Sequence, residues 1–140
     1  MGLTYAEITL ANSSDCILAR QGRLPEEKVK QLTVNALVDS GAFMLVINEN
    51  VKRQLDLPVY DKKTAVLADG TVAECDIVGP VDVFFKTRST TCRAIVLPGS
   101  NVEVLLGAIP IEDMDVLIDL KNNELVLPPD RPYIAQTIIK

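Results

Sequence analysis

Histidine is missing altogether from the 140-residue chain. That absence removes the Ser/His/Asp and Cys/His nucleophilic machines, the histidine-bearing zinc sites and any imidazole general base. Acid and base chemistry, if there is any, must come from Asp, Glu, Lys, Tyr or Cys. Basic charge is short as well: 14 Lys and Arg stand against 19 Asp and Glu, for a net charge of -5 and a pI near 4.7. With no basic run of five or more residues, a nucleic acid held through its phosphates is not an expected partner, and acidic substrates are not favoured by the overall charge. No apolar run approaches the roughly 20 residues of a membrane helix, so no membrane partner is expected. The start, Met1-Gly2-Leu3-Thr4-Tyr5-Ala6-Glu7, lacks the basic and apolar regions of a secretory signal, and Glu7 makes it a poor match for myristoylation. Cysteines number only three, Cys16, Cys75 and Cys92, far apart and never as C-x-x-C. They read as reduced, mostly buried thiols of a cytoplasmic protein. Neither a metal nor a cofactor is expected.

What is present points to one domain. A mass of 15.3 kDa leaves no room for a second module, yet a chain of this size buries about 68 to 70% of its unfolded surface and so sustains a core without staples. Val, Ile and Leu fall in short runs between turn residues, which is the all-β pattern. Strands are expected over Tyr5 to Leu10 and Val29 to Val38, the second carrying Leu32, Val34, Ala36 and Val38 on one face. Asn12-Ser13-Ser14-Asp15 reads as a turn and Arg20 to Lys30 as a polar loop. Asn48 is a plausible N-cap for one short helix, Glu49 to Leu55, which Pro58 ends. Asp69-Gly70 between Thr64 to Ala68 and Thr71 to Cys75 is a two-residue hairpin signal. Gly79-Pro80 reads as a chain break, and Val81 to Lys86 with Cys92 to Leu97 as a hairpin across Thr87 to Thr91. Asn101 to Leu106 reads as a strand, and Ile109 to Met114 as a possible second helix near the C-terminus, started by Pro110. A third hairpin is expected across Lys121 to Glu124, and Tyr133 to Ile139 alternates like a terminal strand.

The chemistry concentrates at Asp39-Ser40-Gly41. A carboxylate placed directly after Ala36-Leu37-Val38 is expected to be at least partly desolvated, with its pKa raised. Ser40 offers a hydroxyl to a neighbouring backbone group, and Gly41 permits a tight turn. Such a carboxylate activates water if a second one lies within about 3 Å to share a proton. By itself the tripeptide arises on the order of once in twenty chains of this length, and it is also an ordinary turn. Context therefore carries the argument: an apolar strand precedes it, Ala42 and a further apolar run follow, and a later strand ends in Leu105-Leu106-Gly107.

In these features the chain resembles the retropepsin-like aspartic proteases, particularly their bacterial members. Ala36-Leu37-Val38-Asp39-Ser40-Gly41-Ala42 is similar to their active-site strand and loop, Leu67-Ala68-Asp69-Gly70 falls at their flap, and Val104-Leu105-Leu106-Gly107 resembles the segment packed behind the catalytic loop. The resemblance spans roughly Thr4 to Leu127 and implies an all-β fold, a closed acid-protease barrel. It makes Asp39 the catalytic aspartate, supported by Ser40, Gly41 and Ala42, with Ala68, Asp69 and Gly70 as flap tip and Leu105, Leu106 and Gly107 as the second supporting loop. It also implies a homodimer, because the chain has one such motif where two carboxylates are needed. The second is then Asp39 of a two-fold mate, and Asp119, in Leu117-Ile118-Asp119-Leu120, reads instead as a strand-end or turn residue capped by its neighbours. The flap lacks the glycine-rich tip of retroviral enzymes. Where those enzymes pair a charge after the second glycine with an acid, Ala108 and Phe43 or Met44 stand here, so dimerisation is expected to lean on apolar packing.

Two functions from different classes follow: a homodimeric aspartic endopeptidase acting on peptide or protein substrates, and a non-catalytic dimer of the same fold that grips a peptide or partner protein. A thiol-dependent activity through Cys16, Cys75 or Cys92 has no base or second cysteine to support it.

Overall fold

The structure, a computed structural model, describes residues 2–139. The elements in chain order are β1 (Thr4–Asn12), α1 (Ser13–Arg20), β2 (Gln31–Val38), β3 (Leu45–Ile47), α2 (Glu49–Leu55), β4 (Val59–Val66), β5 (Val72–Phe85), β6 (Arg88–Val96), β7 (Val104–Leu106), α3 (Ala108–Met114), β8 (Leu117–Asp119) and β9 (Glu124–Val126). Seven strands form one sheet in the order β1-β2-β7-β3-β6-β5-β4, and β1 pairs again with β5. That second pairing, Thr9 to Asn12 against Phe84 to Val81, closes six strands into a barrel and removes their free edges. β4 stays outside the ring, paired only with β5.

Alternation along the strands fills the interior. Ala6, Ile8 and Leu10 of β1 point inward, as do Val34, Ala36 and Val38 of β2, while Tyr5, Glu7, Thr33 and Asn35 face outward. Leu45, Ile47, Val81, Val83, Val96 and Leu106 complete the core, and α2 plugs it with the fully buried Val51 and Leu55. Each such aliphatic side chain contributes about 1.5 to 3 kcal/mol on burial. Asn48 caps α2 as expected, its side-chain oxygen accepting from the Val51 N–H at 3.0 Å.

Several expectations are corrected. Asn12-Ser13-Ser14-Asp15 is not a turn but the start of α1: the Asn12 oxygen accepts from the Asp15 N–H at 3.2 Å, and its amide donates to the carbonyls of Leu55 and Asp56 at 2.9 and 3.2 Å. The apolar residues of α1 lie consecutively at 16 to 19 rather than at helical spacing, which hid the helix. Gly79-Pro80 does not break the chain. β5 runs through it, with a register shift between Val78 and Val81 that bends the strand as a bulge does. The Thr87 to Thr91 connection shrinks to Lys86-Thr87, since Phe85 pairs with Arg88 and Lys86 takes φ 52°. The strand expected from Asn101 spans only Val104–Leu106.

Tyr133 to Ile139 forms no strand; the tail is tied down by charge. Asp115, which caps α3 at φ 54°, accepts from Arg131 at 2.6 and 3.0 Å and from the Gln136 N–H at 2.9 Å. The Arg131 guanidinium, with help from the Gln136 amide, holds the Asp115 carboxyl down to about 2. Buried Arg88 lies 3.6 Å from Asp115 and donates to the Arg131 carbonyl.

Candidate active site

Asp39 leaves the barrel at the end of β2, where β7 is laid in parallel beside it: Leu37 pairs with Leu105 and Val38 with Leu106. The other edge of β7 pairs antiparallel with β3, Val46 against Leu105. A strand from late in the chain is thus held between the two that flank the Asp39 loop. The Asp39 N–H donates to the Leu106 carbonyl at 3.0 Å, and the Ala42 N–H donates back to the Asp39 carbonyl at 3.2 Å. Beyond β7, Ala108 and Ile109 donate to the carbonyls of Ala42 and Phe43 at 2.7 and 2.8 Å. Gly107 makes that approach possible: a Cβ there would lie 2.2 Å from the Met44 carbonyl oxygen. Leu105, Leu106 and Gly107 thus lie directly behind the Asp39 loop.

Within the loop, the Gly41 N–H donates to Asp39 Oδ1 at 2.9 Å. A side chain on Gly41 would crowd that oxygen at 3.0 Å. The Ser40 hydroxyl makes no hydrogen bond among the described residues. Asp39 and Ser40 are both exposed, which corrects the expected desolvation. The apolar run ends inside the barrel, and among the described residues nothing covers the carboxylate beyond it. Asp39 and Ser40 open onto a depression of about 320 Å³ whose rim includes Leu3 and Leu120, 66% and 74% exposed although apolar.

The hairpin of β4 and β5 stands over the other side of the loop. Its tip is a three-residue loop, Ala68-Asp69-Gly70, rather than the expected two-residue turn. Gly70 donates to the Leu67 carbonyl at 2.9 Å and takes φ 85°, and Leu67 donates to Thr71 at 2.8 Å, a turn followed by a left-handed residue. Asp69 is occupied by the turn: Oδ1 accepts from the Thr71 N–H at 2.9 Å and its hydroxyl at 2.6 Å, which lowers the Asp69 pKa. Between hairpin and loop runs a groove of about 540 Å³, floored by Ala42, Phe43, Met44 and Val46 and walled by β4, Ile95 and Ile109. Lys63 also lines it, a residue that nothing in the sequence singles out from its neighbour Lys62.

The other candidates separate from this site. Asp119 ends β8 and accepts from Lys121 and from Asn122, whose side chain and backbone lower its pKa, so it is a strand-end residue that caps the following turn, one of the two roles expected of it. Cys16, Cys75 and Cys92 are free. Burial pushes the thiols of Cys16 and Cys92 up to about 11, with the neighbouring Asp82 carboxylate adding to it at Cys16, so neither is a thiolate near neutral pH. Among the described residues no cluster of three or more carboxylates and thiols is placed to hold a metal. Among the described residues no helix is long and apolar enough to cross a membrane.

A six-stranded closed barrel, with an Asp-Ser-Gly loop braced by a hydrophobic-hydrophobic-glycine strand and overhung by a hairpin, is the retropepsin-like aspartic protease fold. The chain belongs to the aspartyl protease family, whose model matches residues 26–108. Among solved structures it is similar to the retroviral protease-like domain of Ddi1 from Leishmania major, at 18% identity and a TM-score of 0.57 over 92% of this chain and 90% of that one. That likeness speaks for the fold. A search of curated proteins finds no match.

Proposed function

We propose that the chain is an aspartic endopeptidase that works as a homodimer, with water activated between the two Asp39 carboxylates. The observation that carries this reading is Asp39 itself. Its carboxylate is fixed by the Gly41 N–H at 2.9 Å yet stands exposed at the barrel end, beside the apolar Leu3 and Leu120. A partner seated on that face by a two-fold axis desolvates both carboxylates and brings them together. Ser40 is free to bond the partner's backbone. One Asp39, ionised, takes a proton from the shared water as it attacks the scissile carbonyl. The other, protonated, stabilises the oxyanion and then passes its proton to the leaving nitrogen, so no covalent intermediate forms. Like charges this close titrate as a pair. The two hairpins close over an extended peptide bound as an added strand, and shut out water. The three free thiols support a reducing compartment such as the cytoplasm.

The purified protein is expected to cleave an unfolded protein or peptide library at mildly acidic pH, and Asp39→Asn to abolish cleavage. Persistent cleavage by that variant would sink the assignment. Sedimentation is expected to show a dimer under active conditions, and full activity from a monomer would contradict the shared dyad. Inactivity of both proteins with peptide binding retained assigns the chain to peptide capture instead.

A further inference from the structure

We propose that Lys63, seconded by Arg93, makes the groove under the hairpin select extended peptides carrying an acidic residue beside an apolar one. The inference deepens the peptidase reading and rests on it for the reaction, but not for the binding. Consecutive residues of a strand face opposite ways, so Lys62 and Lys63 lie on different sides of the hairpin. Lys62 is neutralised on the outer side by Glu74 at 3.5 Å and Asp76 at 3.3 Å. Asp76 also meets Lys52 at 3.6 Å. Lys63, opposite Cys75 in the register, makes no ion pair among the described residues and lines the groove.

Lys63 also lines an adjoining depression of about 290 Å³, shared with Ile109, Met44 and Arg93. It therefore stands on the boundary of two cavities that both have apolar floors. On β6, Arg93 and Ile95 lie two residues apart on one face, so the second cation sits next along the same wall. Among the described residues, no carboxylate lines either cavity. The chain is negative overall, but an ion pair is decided by the nearest charges, since salt screens the remainder beyond about 8 Å. Among the described residues β4 pairs only with β5, so its other edge is open to a peptide main chain. A peptide there presents alternate side chains to the groove. An apolar one fits against Phe43 and Ile109, and an acidic one on the same face meets the Lys63 ammonium, which needs a counter-charge once the peptide excludes water.

The test uses full-length protein bearing Asp39→Asn and labelled apolar decapeptides, each with one Asp placed at a successive position, paired with Asn counterparts. Fluorescence anisotropy at pH 6.5 and low salt is expected to show at least one Asp peptide binding about fivefold or more tighter than its Asn counterpart, with the ratio shrinking as salt rises. Adding Lys63→Met is expected to bring that ratio to about one, Lys63→Glu to favour a Lys peptide instead, and Arg93→Gln to lower the ratio in part. Both positions are exposed, and circular dichroism melts check that the variants fold. Equal binding of every Asp and Asn pair, a ratio that survives Lys63→Met, or no binding at all overturns the proposal. Wild-type protein that cleaves none of these peptides, while its Asp39→Asn form keeps the ratio, defeats the peptidase reading and leaves the selection standing. Cleavage without acidic preference, together with equal binding, defeats the selection alone.

Discussion

Asp39 and Asp69 each accept a hydrogen bond at 2.9 Å from the backbone N–H two residues on, and each lies just before or at a Gly-containing turn. Their settings differ in everything else. The Asp39 loop is braced from behind by β7, with Gly107 pressed against the Met44 carbonyl, and its carboxylate has spare acceptor capacity. The Asp69 loop projects on a hairpin whose outer edge pairs with nothing among the described residues, and its carboxylate is already engaged by the hydroxyl and the N–H of Thr71. The same local turn therefore serves two ends. Where the surroundings supply rigidity, the carboxylate keeps acceptor capacity to spare; where they do not, the carboxylate is used to hold the turn.

The sharpest way to break that contrast is to neutralise each acid in turn. Asp39→Asn is expected to lower kcat/KM by about a thousandfold or more, and Asp69→Asn by less than about threefold, in a peptide cleavage assay. Comparable losses at both positions would make the two loops functional equals. The glycines behind the loops test the difference in rigidity. Gly107→Ala has no room for its methyl and is expected to cost about 3 kcal/mol or more in urea unfolding. Gly70→Ala meets open space and only the left-handed backbone penalty, about 1 kcal/mol.

Asp115 is the reference for a carboxylate spent wholly on structure. Its folded pKa, about 2, lies below the ordinary value of 3.8, so its contribution to stability is complete above about pH 4 and is lost as the pH falls through about 2. Asp115→Asn is expected to flatten the stability profile in that window, as read by thermal melts from pH 5 to 2. The smallest effect is expected of the thiols. Iodoacetamide at pH 7.5 should leave Cys16 and Cys92 of the folded protein largely unmodified and activity unchanged, and rapid labelling with loss of activity would bring a cysteine into the mechanism.

How far the amino-acid order discloses this molecule depends on whether a signal is local. The alternating run from Leu32 to Val38, the Asn48 cap and the short apolar strand ending at Leu106 are local patterns, and the structure places β2, the start of α2 and β7 at them. Asn12-Ser13-Ser14-Asp15 has two readings, turn and helix start, and the deciding bonds go to Leu55 and Asp56, far along the chain. Gly79-Pro80 likewise reads as a break or as a bulge, and only the flanking pairing to β6 separates them. The exposure of Asp39 was not legible because burial depends on what covers the strand end. Lys63 was hidden by its neighbour: two adjacent lysines look alike until Glu74 and Asp76 are seen to engage only one of them.

The placing of β7 between β2 and β3 also bears on the timing of assembly. During synthesis the segment bearing Asp39 emerges long before Val104–Leu106, and until the latter arrives the loop has neither its backing strand nor the Leu106 carbonyl that receives the Asp39 N–H. Contacts this distant along the chain form late. A ribosome-bound fragment ending before β7 would carry the aspartate without the strand that backs its loop, so the geometry around Asp39 is set only once most of the chain has been made.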